Sequence, residues 1–127
     1  MKANAVVFSA KEAERFGHNY GEAASFWTPA SDVIEELETR LPQYLRMYPP
    51  ADDRPVVDVF AYGRQYYGVT RKGLKLVYLN AFNRPESFAP RWKTDIVDVQ
   101  DGGSNYFQVY FDPATKEFID LHYNGKA

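Results

Sequence analysis

The sequence contains no cysteine. That excludes disulfides, thiolate metal sites and a cysteine nucleophile, and it leaves the compartment open because exported chains also do without cysteine. Histidine is nearly as scarce, with only His18 and His122 and neither beside a second ligand at metal spacing, so a zinc site of the usual kind is not expected. Asp98 and Asp101 beside Gly102 lack the alternating acids and distal Glu of a calcium loop. No metal or other cofactor is therefore expected. No apolar run approaches membrane-spanning length. The first residues carry a single lysine before a short apolar patch broken by Ser9 and Lys11, which is not the pattern of a secretory leader. A chain that starts naturally at Met1 is then expected in the cytoplasm, whereas a Met1 that replaces a removed leader leaves the location open. Positive charge is also in short supply: 15 Lys and Arg against 17 Asp and Glu give a net charge of -2. With no basic stripe, nucleic acid and anionic membrane are not the expected partners.

Aromatic residues are what the chain has in excess. Ten Tyr, nine Phe and two Trp bring large buried areas with little rotamer entropy to lose, which suits a compact sheet core or a partner-binding face. The length of 127 residues fits one domain with one core.

In residues 1–27 the local signals are a short strand over 5–8 and a helical turn over 10–16. Residues 28–48 carry the firmest pattern. Thr28 is placed to cap, Pro29 suits the first helical position, and Asp32 and Glu35 favour the positive end of the helix dipole. Val33, Ile34, Leu37, Leu41, Tyr44 and Leu45 then recur at spacings of three and four, so one face is apolar. Pro42 lies in phase within that stripe and predicts a kinked helix or two abutting ones. The run Tyr48-Pro49-Pro50 ends the helix.

Beyond Pro55 the rhythm changes to the two-residue alternation of strands, rich in Val, Tyr, Phe and Ile. A strand is expected over 56–61 that continues past a bend or bulge at Gly63 as 64–70, and further strands over 74–82, 94–100, 106–111 and 117–123. Gly73 is expected to close a three-residue hairpin loop, and Asp112-Pro113 to open another turn. The register of the last hairpin stays open, because a one-residue slip exchanges the faces of Asp120 and His122. These elements predict an α+β domain over 1–127: an N-terminal segment, one amphipathic helix kinked at Pro42, and a curved antiparallel sheet of four to five strands over 55–123.

This order of one long helix followed by an antiparallel meander resembles the cystatin-like architecture, which also hosts the pockets of nuclear-transport-factor-like and ketosteroid-isomerase-like proteins. No inhibitor motif accompanies the likeness, so it implies a fold and not protease inhibition. The stretch from Asp101 to Phe107, Tyr110 to Thr115 and Asn124-Gly125 resembles the tail of small bacterial α+β proteins of unassigned function.

The loop Asp101-Gly102-Gly103-Ser104-Asn105 exposes consecutive amides but leads into a strand and not into a helix, so it reads as a hairpin loop and not a phosphate cradle. Ser104 lacks a nucleophile elbow. Asp58, Asp95, Asp98 and Asp120 fall in expected strands, where carboxylates usually occupy the wet face. The aromatic strands are the strongest functional signal. Tyr66 and Tyr67 must point to opposite faces. The face away from the helix is expected to present rings among Arg64, Gln65, Lys75, Asn80 and Gln108. The expected function is therefore non-enzymatic protein binding or self-association through Tyr66, Tyr67, Tyr78, Arg91, Trp92, Asp101, Gly102, Gly103, Ser104 and Asn105. The alternatives are a small-ligand or enzymatic pocket between helix and sheet, and a structural or oligomerisation subunit.

Overall fold

The apolar stripe on the main helix meets a sheet whose strands alternate, and the two periodicities fix the architecture. A computed structural model describes residues 1–16, 25–51, 54–99 and 102–125. In chain order the strands are β1 (Ala5–Val7), β2 (Ser25–Trp27), β3 (Gly63–Arg71), β4 (Leu74–Phe82), β5 (Tyr106–Asp112) and β6 (Glu117–Tyr123), and the α-helices are α1 (Ala10–Glu14) and α2 (Ser31–Met47). The strands form one six-stranded mixed sheet in the order β1-β3-β4-β5-β6, with β2 also on the outer side of β3. β1 runs parallel to β3 along residues 64–66, and β2 runs antiparallel to it along residues 68–70. The strand expected over 5–8 and the helical turn expected over 10–16 appear as β1 and α1, and β2 joins them, so the N-terminal segment adds two strands to the four that residues 55–123 form, and the sheet is mixed and not purely antiparallel.

Helix α2 runs unbroken through Pro42. Its buried residues Ile34, Leu37, Leu41 and Leu45 pack on Tyr66, Leu79, Phe107, Val109 and Phe111, each no more than 4% exposed. The helix begins at Ser31, with Ala30 at the cap position and no side-chain cap. Thr28 instead spends its hydroxyl oxygen on the Ala10 amide at 2.9 Å, so it ties β2 to α1. Helix α1 has its own capping box, in which Ser9 and Glu12 satisfy each other's amides.

Residues 56–61 form no strand. Asp58 accepts from the Phe60 amide and starts a 3-10 turn at Val59–Ala61, a local bond that competes with sheet pairing, and Val57 is left 90% exposed. The β3–β4 hairpin closes with two residues and not three, Lys72 and Gly73 at φ 50° and 81°. Two consecutive positive φ angles match the twist of the flanking strands. Gly63 opens β3 in regular register opposite Phe82. The bulge lies in the last hairpin: Tyr110 faces Ile119 and Gln108 faces His122, so Asp120 and Leu121 together oppose Val109, and Asp120 takes φ 55°. Phe118, Leu121 and Tyr123 consequently all pack against the α2 side.

The second face of the sheet is also covered. Phe8, Ala13 and Phe16 pack there on Tyr67, Val69 and Leu76. The expected strand over 94–100 is absent from the described residues 94–99, which pair with no other strand backbone. Side-chain amides in neighbouring strands hold this segment instead. Gln65 donates to the carbonyls of Trp92 at 2.6 Å and Asp95 at 2.7 Å and accepts from the Val97 amide at 3.0 Å. Asn80 donates to Gln65 and to the Val97 carbonyl, Gln108 to Asn80 and Asn124, and Asn124 to the Val99 carbonyl.

Candidate functional site

The residues singled out from the sequence separate into buried and accessible sets. Tyr66 and Tyr67 point to opposite faces, and both are fully buried. Tyr67 stacks on Tyr78 at 5.1 Å, and Tyr78 on Tyr110 at the same spacing, so this ring ladder follows the cross-strand register under partial cover. Arg64, expected on the open face, lies on the helix side and is buried. Its guanidinium bonds Glu38 at 3.1 Å, the Tyr66 hydroxyl at 3.0 Å and the carbonyls of Lys2, Ala3, Phe60 and Tyr62. Burial is the main cause that raises the Tyr66 phenol above its ordinary pKa, opposed by the Arg64 charge. Tyr66 thus stays neutral and donates to Glu38 at 2.9 Å.

The two expected loops do meet. Asn83 donates to the backbone and side-chain oxygens of Asn105 at 2.7 and 3.2 Å. Gly103 and Ser104 are buried, Gly102 and Asn105 half-buried, and Asp101 lies outside the described residues. Trp92 is a buried anchor against Phe82, while Arg91 reaches solvent and pairs with Asp95 at 3.5 Å. A cavity of about 380 Å³ lies between them, walled by Phe88, Ile96 and Asp98 among others. The strand acids expected at Asp58 and Asp120 serve separately: Asp58 caps its turn, and Asp120 pairs with Arg71 at 3.5 Å. His18 lies outside the described residues, and among those described no three His, Asp or Glu side chains gather as a metal site. No helix among them is long and apolar enough to cross a membrane.

The accessible rings lie elsewhere. Helix α2 and the β5–β6 turn frame a groove of about 590 Å³. Tyr44 stands at its centre, 4.9 Å from the Tyr48 ring and 4.7 Å from the Phe118 ring. Met47 and Tyr48, 63% and 53% exposed, form its open lip. Glu36 closes one end, held by Lys116 at 3.1 Å and Arg40 at 3.0 Å. Those hydrogen bonds, Lys116 first and then Arg40, lower the Glu36 pKa. Partial burial, with Tyr48 and Asp120 nearby, raises that of Tyr44. The groove therefore offers a neutral aromatic floor ending in a charged clamp. A second hollow of about 260 Å³ continues beyond Lys116 toward Asp32 and Pro113.

Comparison with protein-family models, curated proteins and solved structures finds no match. The reading of the groove therefore rests on its own chemistry.

Sequence reasoning assigned Tyr44 to the core stripe and passed over Met47, Tyr48, Lys116 and Phe118. The signal that marks Tyr48 is its four-residue spacing from Tyr44 at the end of α2, which sets the two rings on one face; nothing local marks Lys116 and Phe118, which the β5–β6 hairpin brings to them.

Proposed function

We propose that the protein is a non-enzymatic binding module that takes an extended segment of a protein partner. An aromatic or long aliphatic side chain of the partner sits among Tyr44, Tyr48 and Phe118. The observation that carries this reading is the exposure of Met47 and Tyr48 over an aromatic floor, since large rings and methionine are what binding surfaces concentrate. The Arg40–Glu36–Lys116 cluster gives the groove a polar end that fixes the direction of the bound segment. The loops at 83–92 and 102–105 are a second contact in the same proposal, with Arg91 as the accessible charge.

A cystatin-like architecture belongs to this proposal as well. It is supported by α2 followed by two antiparallel hairpins, and the parallel strand β1 counts against it. A pocket between helix and sheet is the less favoured alternative, because Leu37, Leu41, Leu79 and Val109 fill that space.

The test is selection from a displayed library of random linear peptides against the protein, followed by titration of the selected peptides. Binding that shifts amide signals of residues 39–48 and 116–118, and that Tyr48→Ser abolishes, is the expected result. Selected peptides that shift signals elsewhere, or a library that yields no binder, would refute the reading.

A further inference from the structure

We propose that Asn124 is a modification site, at which spontaneous deamidation through the Gly125 amide unlatches the segment that covers the sheet. This does not depend on the groove. Asn124-Gly125 is the only Asn-Gly pair in the sequence. Glycine has no side chain to shield its main-chain nitrogen, so this pair closes a ring more readily than any other, and asparagine is among the thermolabile residues. The Gly125 nitrogen gives up its proton and attacks Asn124 Cγ. A C–N bond forms and ammonia leaves, which produces a five-membered succinimide. Water opens the ring at either carbonyl to give aspartate or the isoaspartyl linkage. One water is consumed, one ammonia is released, and nothing is oxidised or reduced.

The fold holds this reaction back. Asn124 is 8% exposed. Its amide nitrogen donates to the Tyr106 carbonyl at 2.9 Å, its side-chain nitrogen donates to the Val99 carbonyl, and its side-chain oxygen accepts from Gln108 at 3.3 Å. The Gly125 carbonyl accepts from the Gly103 amide at 3.1 Å. The backbone is pinned on both sides of the reacting bond, so ring closure needs local opening.

The fold also makes the product matter. An aspartate carboxylate is acceptor-only, and it would face the Val99 carbonyl where a donor stood. The isoaspartyl form adds a methylene to the main chain and displaces the Gly125 carbonyl from Gly103. Either product releases the end of the 92–99 segment, and the second also frees the turn at 103–105.

The experiment incubates the full chain at mildly alkaline pH, native and in urea, and follows the peptide that contains Asn124 by mass spectrometry. The aspartyl and isoaspartyl products are expected in both, with the native rate at least about tenfold lower because only the open fraction reacts. Equal rates, or no product in urea, would overturn the site. In Asn124→Asp, amide exchange at Val97 should accelerate while Gly103 and Leu79 keep their protection; unchanged exchange at Val97 would overturn the unlatching.

Discussion

Glu38 and Arg64 meet at 3.1 Å between α2 and β3, with side chains 4% and 0% exposed. The Lys2 amide donates to the other Glu38 oxygen at 2.8 Å, so one pair joins the residues ahead of β1, the main helix and the sheet. Removal of one partner strands the other charge in the interior. Glu38→Ala or Arg64→Ala should each cost about 3–5 kcal/mol in urea unfolding. The double change Glu38→Leu with Arg64→Met should cost less than the sum of the two single changes, because it leaves no unpaired charge. A double variant as unstable as the sum of the singles would contradict this.

Alkaline stability follows from Tyr66. A tyrosine in the unfolded chain titrates near 10, and burial pushes the Tyr66 phenol well above that in the fold. Above about pH 10 the unfolded chain releases a proton that the folded one keeps, so the stabilisation present at lower pH falls as pH rises. Tyr66→Phe should flatten the decline in unfolding free energy above pH 10, though it lowers stability at neutral pH by removing two hydrogen bonds. An unchanged slope would assign the alkaline decline to other groups.

The amide ladder predicts a local effect. Gln65→Leu removes three hydrogen bonds to the 92–97 backbone and should cost roughly 1–3 kcal/mol through the buried groups left unsatisfied. Limited proteolysis should then cut within 92–99 in the variant while the wild type resists. Equal resistance would mean that the ladder does not hold the segment.

Lys72 predicts a gain. A side chain at positive φ carries strain of about 1 kcal/mol, which asparagine tolerates better. Lys72→Asn creates the Asn-Gly pair of a two-residue hairpin and should raise stability by a few tenths to about 1 kcal/mol by thermal unfolding.

Much of the fold was legible because two rhythms survive in it. The stripe from Val33 to Leu45 marked α2, and the alternation in 63–82 marked the central hairpin. The misreadings have physical causes. Residues 94–99 have strand-like composition, but Gln65, Asn80 and Asn124 take their backbone bonds, and nothing local in the sequence marks such distant partners. The last hairpin resisted a register because the bulge at Asp120 shifts its apolar phase: Phe118 and Leu121 face the same side. Thr28 looked like a cap because its tie to Ala10 depends on tertiary structure. Arg64 read as part of the open face because its burial makes sense only with Glu38 beside it. The candidate site was the least legible part: the rings of Tyr66 and Tyr67 fit a binding face by composition, and the fold uses them as core.

The most direct test is surface labelling of tyrosine in the native protein, mapped residue by residue. Tyr48 should react first among the described tyrosines, with Tyr66 and Tyr67 inert until unfolding. Labelling of Tyr66 or Tyr67 at native rates comparable to Tyr48 would show that the sheet offers its rings after all, and would contradict the account.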